Sequence, residues 1–164
     1  MSIVIAPATG ADSPAITALL TRAFARLSSH YPPEILHPLM PYFGTCQPAL
    51  VASGHYFALR EDGVIRAVGG WSIGAPGTGV ITPGTGHIRH VGVDPDASGK
   101  GFGRALLTFV EADAASCGIS RLEAFANLAA VSFYRAVGYA EIGPRNDSIA
   151  GRYAFDGVDF EKRL

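Results

Sequence analysis

The chain has 164 residues, of which 48% are hydrophobic and only 16% charged, and its formal net charge is −1. This length suits one domain with a buried core, so residues 1–164 are expected to form a single domain. The sequence has no run of Lys and Arg, no apolar stretch near the ~20 residues of a membrane span and no start typical of a signal peptide. We therefore expect no nucleic-acid partner, no membrane partner and a cytoplasmic location.

The amino-terminal part predicts a strand and a helix, followed by a proline-rich stretch. Ile3–Ile5 is a short apolar strand. Ser13 is predicted to cap a helix that has Pro14 at its first position, and apolar residues recur after it at helical spacing. Residues 30–50 contain five prolines, which favour short helical pieces and turns over one long helix.

Two strands and a glycine-rich loop come next. Tyr56–Arg60 and Val64–Ile73 are predicted strands, and the Asp62-Gly63 pair between them is typical of a β-hairpin turn. Residues 74–86 hold five glycines and two prolines, so we expect a mobile loop there.

The central segment combines a strand, a glycine-spaced turn and a helix. The fourth strand, Ile88–Val93, stops at an Asp-Pro pair, and the turn at residues 99–104 opens directly into an amphipathic helix. Glycines let a backbone approach an anion, and the first N–H groups of a helix point at it, so this segment predicts a phosphate-binding turn. Cys117 falls on the apolar stripe of the helix and is predicted to be a buried thiol, while Gly118 is predicted to end the helix.

Two nucleotide-binding motifs are excluded at this turn. In the P-loop pattern, Asp94 would stand at the first glycine and Gly101 where a hydroxyl residue is required. The Gly-x-Gly-x-x-Gly dinucleotide pattern ends on Arg104 when counted from Gly99, and on Leu106 when counted from the next glycine. The two cysteines offer no metal-binding spacing, so no metal is expected.

The carboxyl-terminal part predicts three strands and one helix. Leu122–Ala126 is a strand, and Ala129–Val137 is a helix closed by a glycine. Tyr139–Ile142 and Val158–Arg163 are the last two strands. The Asp156-Gly157 pair either turns a final hairpin or marks a bulge, and the sequence leaves this choice open.

Residues 98–103 and residues 127–139 carry two motifs that resemble, in the right order, those of the GNAT-type N-acetyltransferases, which are acetyl-CoA-dependent enzymes. More weakly, residues 30–36, 56–59 and 68–72 resemble one bacterial branch of that superfamily. Residues 98–103 match its Arg/Gln-x-x-Gly-x-Gly/Ala signature except at the first position, where Ser98 stands. Downstream, the family's Asn-x-x-Ala-x-x-Phe-Tyr pattern and its Gly-Phe/Tyr pair are matched by Asn127, Ala130, Phe133, Tyr134, Gly138 and Tyr139. The resemblance is strongest over residues 87–143.

The resemblance implies a mixed α/β (α+β) chain with the GNAT fold. In that fold a central, mostly antiparallel mixed sheet is flanked by helices, and its parallel fourth and fifth strands splay apart. Acyl-coenzyme A lies in the cleft between these strands, and its pantetheine arm pairs with the fourth strand.

The resemblance also implies a set of contacts to coenzyme A. The backbone N–H of Val91 would bind the thioester carbonyl, and Val93 would pair with pantetheine. Asn127 and Phe133 belong to the same cofactor-binding set, and Ser98 replaces a longer family side chain. The pyrophosphate would be held by the turn, with its residues Gly99, Lys100, Gly101, Phe102, Gly103 and Arg104.

Two residues are the candidate catalytic groups. The family tyrosine that reaches the sulfur corresponds to Tyr134, which would act as general acid towards the leaving thiolate. Many relatives place a carboxylate base eight residues before the Asp-Pro proline, and His87 stands there. In a regular strand His87, Arg89 and Val91 share one face and His90 points the other way. A chain of waters is the competing base, and Arg89 is expected to contact substrate or structure.

The acceptor is expected to be a primary amine of a small molecule or of a peptide or protein. Tyr31, Tyr56 and Trp71 are candidate walls of its pocket, and Glu34 is a candidate partner of the ammonium group. The sequence leaves open whether the protein forms a homodimer. The alternative function is a non-catalytic acyl-CoA sensor or partner module of the same fold, which the replacement by Ser98 favours slightly and the intact Tyr134 disfavours.

Overall fold

The computed structural model describes residues 1–149 and 151–164, which fold around one seven-stranded sheet of order β1-β2-β3-β4-β5-β7-β6. Neighbouring strands are antiparallel except for β4 and β5, which run parallel. The strands are β1 Ile3–Pro7, β2 Tyr56–Glu61, β3 Val64–Ser72, β4 Thr85–Val93, β5 Arg121–Asn127, β6 Ala140–Ile149 and β7 Tyr153–Arg163. This mixed sheet confirms the predicted fold class.

Six α-helices flank the sheet in the described part of the chain. They are α1 Ser13–Ala25, α2 Pro33–Leu36, α3 Met40–Phe43, α4 Pro48–Ala52, α5 Phe102–Ser116 and α6 Val131–Ala136. The proline-rich stretch forms short helical pieces, as predicted, because each proline removes an N–H donor. No helix among residues 1–149 and 151–164 is long and apolar enough to span a membrane.

Helix α1 starts one residue earlier than predicted. Its N-cap is Asp12, so Ser13 is already helical, and the Ser13 hydroxyl lies 3.4 Å from the sulfur of Cys46. Asp12 also accepts the Thr9 backbone N–H at 2.9 Å, which fixes the preceding turn.

The sheet has a packed core on each face. On one face, the apolar stripe of α5 covers β3, β4 and β5, with Leu106, Leu107 and Val110 fully buried. On the other face, Ile16, Leu19 and Leu20 of α1 pack on β2 and β3. We call these the α5 face and the α1 face. A gap between strands of this sheet would therefore have the α5 face on one side and the α1 face on the other.

The predicted β2–β3 hairpin is confirmed, and the following strand is longer than predicted. Asp62 and Gly63 have φ angles of 49° and 83°, which the primed hairpin turn requires. Strand β4 begins at Thr85 and not at Ile88, because residues 85–87 pair with β5 and His87 also pairs with β3.

The prediction for the Asp156-Gly157 pair is wrong in both forms. These residues lie inside β7, in unbroken register with Asn146 and Arg145 of β6, and the register shift falls near Gly143 instead. Glycine is needed at 157 for another reason: an added Cβ would lie 2.5 Å from the Ala126 carbonyl oxygen and from the Phe125 ring. The β6–β7 connection includes residue 150, which lies outside the described residues.

The thiol of Cys117 is exposed, which contradicts the predicted burial. Helix α5 ends at Ser116, so Cys117 lies beyond the last packed turn, and Gly118 follows with φ 85°, as predicted for the helix end. The Cys117 sulfur, His55 and Asp113 have ligand atoms within 4.8 Å of one another, a cluster that the sequence spacing did not reveal.

Candidate functional site

The parallel strands β4 and β5 separate soon after they meet. They pair only where Thr85–His87 faces Arg121–Glu123, although both strands continue beyond this point. A gap therefore opens between the carboxyl-terminal halves of the two strands. This confirms the splayed arrangement predicted for them.

A bulge in β4 lies at the start of this gap. Between the pairs Gly70↔Arg89 and Val68↔Gly92, β4 has one residue more than β3, and His90 has φ 52°. The register gives neither His90 nor Val91 a partner in β3. An extra residue in a strand ends the regular alternation of its side chains.

The bulge makes the predicted strand faces wrong. Ile88 belongs to the core on the α5 face, so Arg89 points to the α1 face. His90 also lies on the α1 face, where its Nε2–H donates to the Phe43 carbonyl at 2.7 Å. Val91 instead packs under α5, where it would lie 2.9 Å from a Cβ added at Gly69. Val91 and His90 have thus exchanged the faces that regular alternation gives them.

A cavity of about 840 Å³ passes through the gap between β4 and β5. Its wall on the α5 face, which we call the turn end, is lined by Val91, Val93, Ser98, Phe133 and Tyr134. Asn127 lines the cavity at the end of β5. Its wall on the α1 face, which we call the far end, is lined by Phe24, Phe43, Arg89, His90 and Phe155. His87 and Glu123 line the same cavity where the two strands part.

The glycine turn beside the cavity presents free backbone donors. Gly99 and Gly101 both have φ 80°, a conformation that costs other residues energy, and α5 begins at Phe102. In the described chain, the backbone N–H groups of residues 99–104 have no acceptor. A Cβ at Gly103 would lie 3.2 Å from both Phe133 and Val93, so glycine allows the helix start to approach the cavity wall.

The side chains of the turn point away from these free donors. Lys100 Nζ lies 3.3 Å from a Glu61 carboxylate oxygen, and Arg104 donates to the Ala136 carbonyl at 3.0 Å. Phe102 is buried in the core. In this arrangement the backbone N–H groups of the turn are its free donors, while Ser98 is exposed at the cavity wall.

Tyr134 is held in an apolar cage at the turn end. It is 5% exposed, stacks on Phe160 at 5.7 Å and meets the edge of Tyr139 at 5.4 Å. Burial raises the pKa of its phenol, which therefore keeps its proton at neutral pH. Its hydroxyl has no hydrogen-bond partner among the described residues, so its proton is available to a group in the cavity.

His87 pairs with a carboxylate that the sequence analysis missed. Its Nδ1 lies 3.7 Å from Glu123 Oε2, on the β5 residue directly opposite. Burial lowers the pKa of His87, Glu123 opposes this, and the charges of Arg89 and Arg121 lower it further. The imidazole is therefore neutral at neutral pH, and its buried Nε2 has no partner in the described structure.

Asn127 is a second polar group without a partner at the cavity. Its Oδ1 is buried and accepts no hydrogen bond from any described residue. Buried polar atoms are rarely left unsatisfied, so this oxygen and His87 Nε2 are suited to bind a ligand.

The four residues suggested for the acceptor pocket lie elsewhere. Tyr31 is buried below β7, where its hydroxyl donates to the Asp156 carbonyl, and Tyr56 donates to the His90 carbonyl from within the core. Trp71 donates to Asp113 at 2.7 Å on the α5 face, and Glu34 is exposed. The far end is instead built by phenylalanines that the sequence analysis did not single out. The sequence carries no signal for them, because Phe24, Phe43 and Phe155 lie in three separate elements, α1, α3 and β7, and form no motif.

A family model described as the acetyltransferase (GNAT) family matches residues 15–139. The match includes β4, the glycine turn, β5 and α6, which supply the described cavity. No curated protein sequence matches the chain significantly.

Solved structures of N-acetyltransferases share the whole fold at low sequence identity. A GCN5-related N-acetyltransferase from Rhodopseudomonas palustris aligns with a TM-score of 0.77 at 20% identity, covering 100% of this chain and 97% of its own. The PaiA N-acetyltransferase from Thermoplasma acidophilum, solved with coenzyme A, aligns at 0.74 and 14%, covering 100% of both chains. The ribosomal-protein-S18-alanine N-acetyltransferase from Escherichia coli aligns at 0.66 and 18%, covering 99% and 94%.

Proposed function

Because this chain belongs to the acetyltransferase (GNAT) family, we propose that it transfers an acetyl group from acetyl-CoA to a primary amine by direct attack in a ternary complex. One observation carries the proposal: a single cavity runs from Ser98, at the edge of the glycine turn, and Tyr134 on the α5 face to His87 and the far end on the α1 face. Such a passage lets a thioester and an amine enter from opposite faces and meet between the strands.

The turn end suits coenzyme A. Free N–H groups at residues 99–104, together with the dipole of the long helix α5, match the charge of a pyrophosphate. Val93 supplies strand backbone to pantetheine, and the unsatisfied Asn127 oxygen accepts from one of its amides. Because the Ser98 side chain is short, backbone N–H groups make most of the proposed contacts to the pyrophosphate.

The thioester carbonyl is assigned to the N–H of Val91. The β3 register skips this residue because of the bulge, so its amide can serve a ligand. A donor fixed before the reaction stabilises the oxyanion of the tetrahedral intermediate as it forms.

Tyr134 and His87 are assigned to the two proton transfers. The neutral imidazole of His87 accepts a proton at Nε2 from the ammonium group of the acceptor, directly or through a water. The deprotonated amine then attacks the thioester. The protonated phenol of Tyr134 then gives its proton to the departing thiolate. The amine nitrogen forms a bond to the acetyl carbon, the carbon–sulfur bond breaks, and coenzyme A leaves as the thiol. The second proton that the nitrogen loses as the amide forms returns to the phenolate of Tyr134.

The decisive experiment measures thiol release from acetyl-CoA with a broad panel of amines, beside calorimetry of coenzyme A binding. We expect both binding and amine-dependent release. Binding with no release for any amine would favour the non-catalytic acyl-CoA module. Absence of binding would contradict the proposal.

A further inference from the structure

The far end of the cavity contains a half-buried arginine without a counter-ion. Arg89 lines the cavity, and its hydrogen bond in the described structure is from Nη1 to the Ser72 hydroxyl at 3.0 Å. No carboxylate of the described residues lies within 4.0 Å of its guanidinium.

The other half-buried arginines of residues 1–149 and 151–164 are all paired. Arg60 contacts Asp12 at 2.7 Å, Arg66 contacts Asp94 at 2.9 Å, and Arg121 contacts Glu123 at 2.8 Å. The chain thus neutralises partly buried guanidinium groups with its own carboxylates elsewhere, and Arg89 is the exception.

The carboxylates that share the cavity with Arg89 are already engaged. Glu123 is held by Arg121, while Asp159 and Asp147 are held by Arg145 at 2.9 Å and 3.2 Å. A partly buried charge without a partner loses hydration and gains nothing in return. Burial lowers the pKa of Arg89, in agreement with this loss, yet a guanidinium stays protonated at neutral pH.

The charge of Arg89 lies close to His87, the proposed base. His87 and Arg89 lie before the bulge on the same face of β4, so their Cα atoms are separated by about 7 Å, the repeat of an extended strand. If the acceptor's amine is held beside His87, a group of the same molecule that is two to four bonds from the nitrogen therefore lies near Arg89. Guanidinium groups bind carboxylates through two parallel hydrogen bonds.

We propose that Arg89 binds a carboxylate of the acceptor, and that the preferred acceptor is a small molecule with both a primary amine and a carboxylate. The Phe24, Phe43 and Phe155 rings of the far end leave room for an apolar body between these two groups. This inference rests on the proposed acetyl transfer, and it narrows the acceptor class.

The test uses pairs of acceptors that differ only in the carboxylate. Phenylalanine, leucine and 4-aminobutyrate are compared with their carboxamides in the thiol-release assay. We expect at least one acid to exceed its amide about 10-fold or more in kcat/KM, the usual effect of a charge-assisted hydrogen bond. Arg89→Gln should remove this preference, mainly through KM, when each acid is compared with its amide in the same variant. Arg89→Lys, which keeps the charge, should retain part of it.

Two controls make the result specific. Arg163→Gln makes the same change at an exposed arginine outside the cavity and should keep the preference for the acid. Calorimetry with N-acetylphenylalanine, N-acetylleucine, 4-acetamidobutyrate and their amides, in the presence of coenzyme A, measures the same contact without turnover.

The outcomes separate this inference from the proposed function. If coenzyme A binds and amines react, but acids and amides are used and bound equally well, the carboxylate site is refuted and acetyl transfer stands. The same conclusion follows if Arg89→Gln keeps the full preference. If wild-type protein binds no coenzyme A, the proposed function fails and this inference fails with it.

Discussion

The phenol of Tyr134 combines burial with an available proton. Its ring packs between Phe160 and Tyr139, whereas its hydroxyl lacks a partner in the described chain. Removal of the hydroxyl alone keeps the ring packing. Tyr134→Phe should therefore lower kcat by ~10²–10⁴-fold, the usual range of general acid catalysis, with little change in coenzyme A affinity.

Steady-state kinetics, calorimetry and thermal unfolding check this prediction together. Tyr139→Phe is the matched control, because it removes a buried hydroxyl that hydrogen-bonds Glu111 at 3.3 Å outside the cavity. Full turnover by Tyr134→Phe would refute the acid role.

His87 should make the rate depend on pH with a definite sign. In the proposed mechanism its neutral form is the base, and burial lowers its pKa below the ordinary ~6.5. Activity should therefore be constant above that value and fall as the pH drops through the lowered pKa. His87→Ala should reduce activity and abolish this acidic inflection.

A substitution at Glu123 provides a second test of His87 as the base. Its charge raises the pKa of His87, so Glu123→Gln should move the inflection to still lower pH. A rate profile that is identical in wild type, His87→Ala and Glu123→Gln would identify water or another group as the base.

At the scale of elements, we propose that the glycine turn and the start of α5 act as one anion-binding unit. Gly101 has φ 80° and no atom within 4 Å of the position of an added Cβ, so a new side chain meets the ligand and not the protein. Gly101→Asp should abolish coenzyme A binding, because its carboxylate repels the pyrophosphate. Gly101→Asn, which has nearly the same shape and tolerates this backbone, should weaken binding less.

Calorimetry compares these variants with Gly118→Asp. Gly118 also has positive φ, at 85°, and open space around an added Cβ, but it lies at the opposite end of α5. Equal loss of binding in Gly118→Asp would assign the effect to backbone strain. Unchanged binding in Gly101→Asp would contradict the assignment of the turn to pyrophosphate.

At the scale of the whole molecule, acid should reduce stability in two stages. Burial lowers the pKa of His87 and His90, so the unfolded chain binds protons first, and stability falls as the pH drops from about 6.5 towards the folded pKa values. Burial alone would raise the pKa of Asp94, but hydrogen bonds from the Asp96 N–H, Arg66 and Arg22 lower it. Its contribution is present above about pH 3.9 and is lost as the pH falls through its lower folded pKa.

Urea unfolding between pH 8 and pH 3 measures both stages. His90→Gln can still donate to the Phe43 carbonyl but cannot titrate. In the first stage it should reduce the slope of the free energy of unfolding against pH by up to the equivalent of one proton, and it should leave the second stage unchanged. The same pH dependence in this variant and in wild type would exclude His90 as a source of the first stage.

Much of the architecture follows from local chemistry that one sequence displays. The Asp62-Gly63 turn, Gly99 and Gly101 of the glycine turn, and Gly118 at the end of α5 each have the positive φ that glycine or aspartate tolerates. Alternating and helical apolar spacing gave the strands and long helices, because burial of one face requires that spacing. The two motifs on either side of β5 were sufficient to predict the family, which the family model confirms.

Tertiary structure alone decided which side chains share the cavity. The bulge at His90 depends on how β4 pairs with β3. Residue spacing along the sequence therefore does not predict that Val91 lies on the α5 face. Glu123 meets His87 only through the parallel register of β4 and β5, and Arg89 lacks a counter-ion only because nearby carboxylates bind other arginines. Sequence fixes local conformation through short-range sterics and burial, whereas charge partners and strand register arise from contacts between distant segments, which exist only in the folded chain.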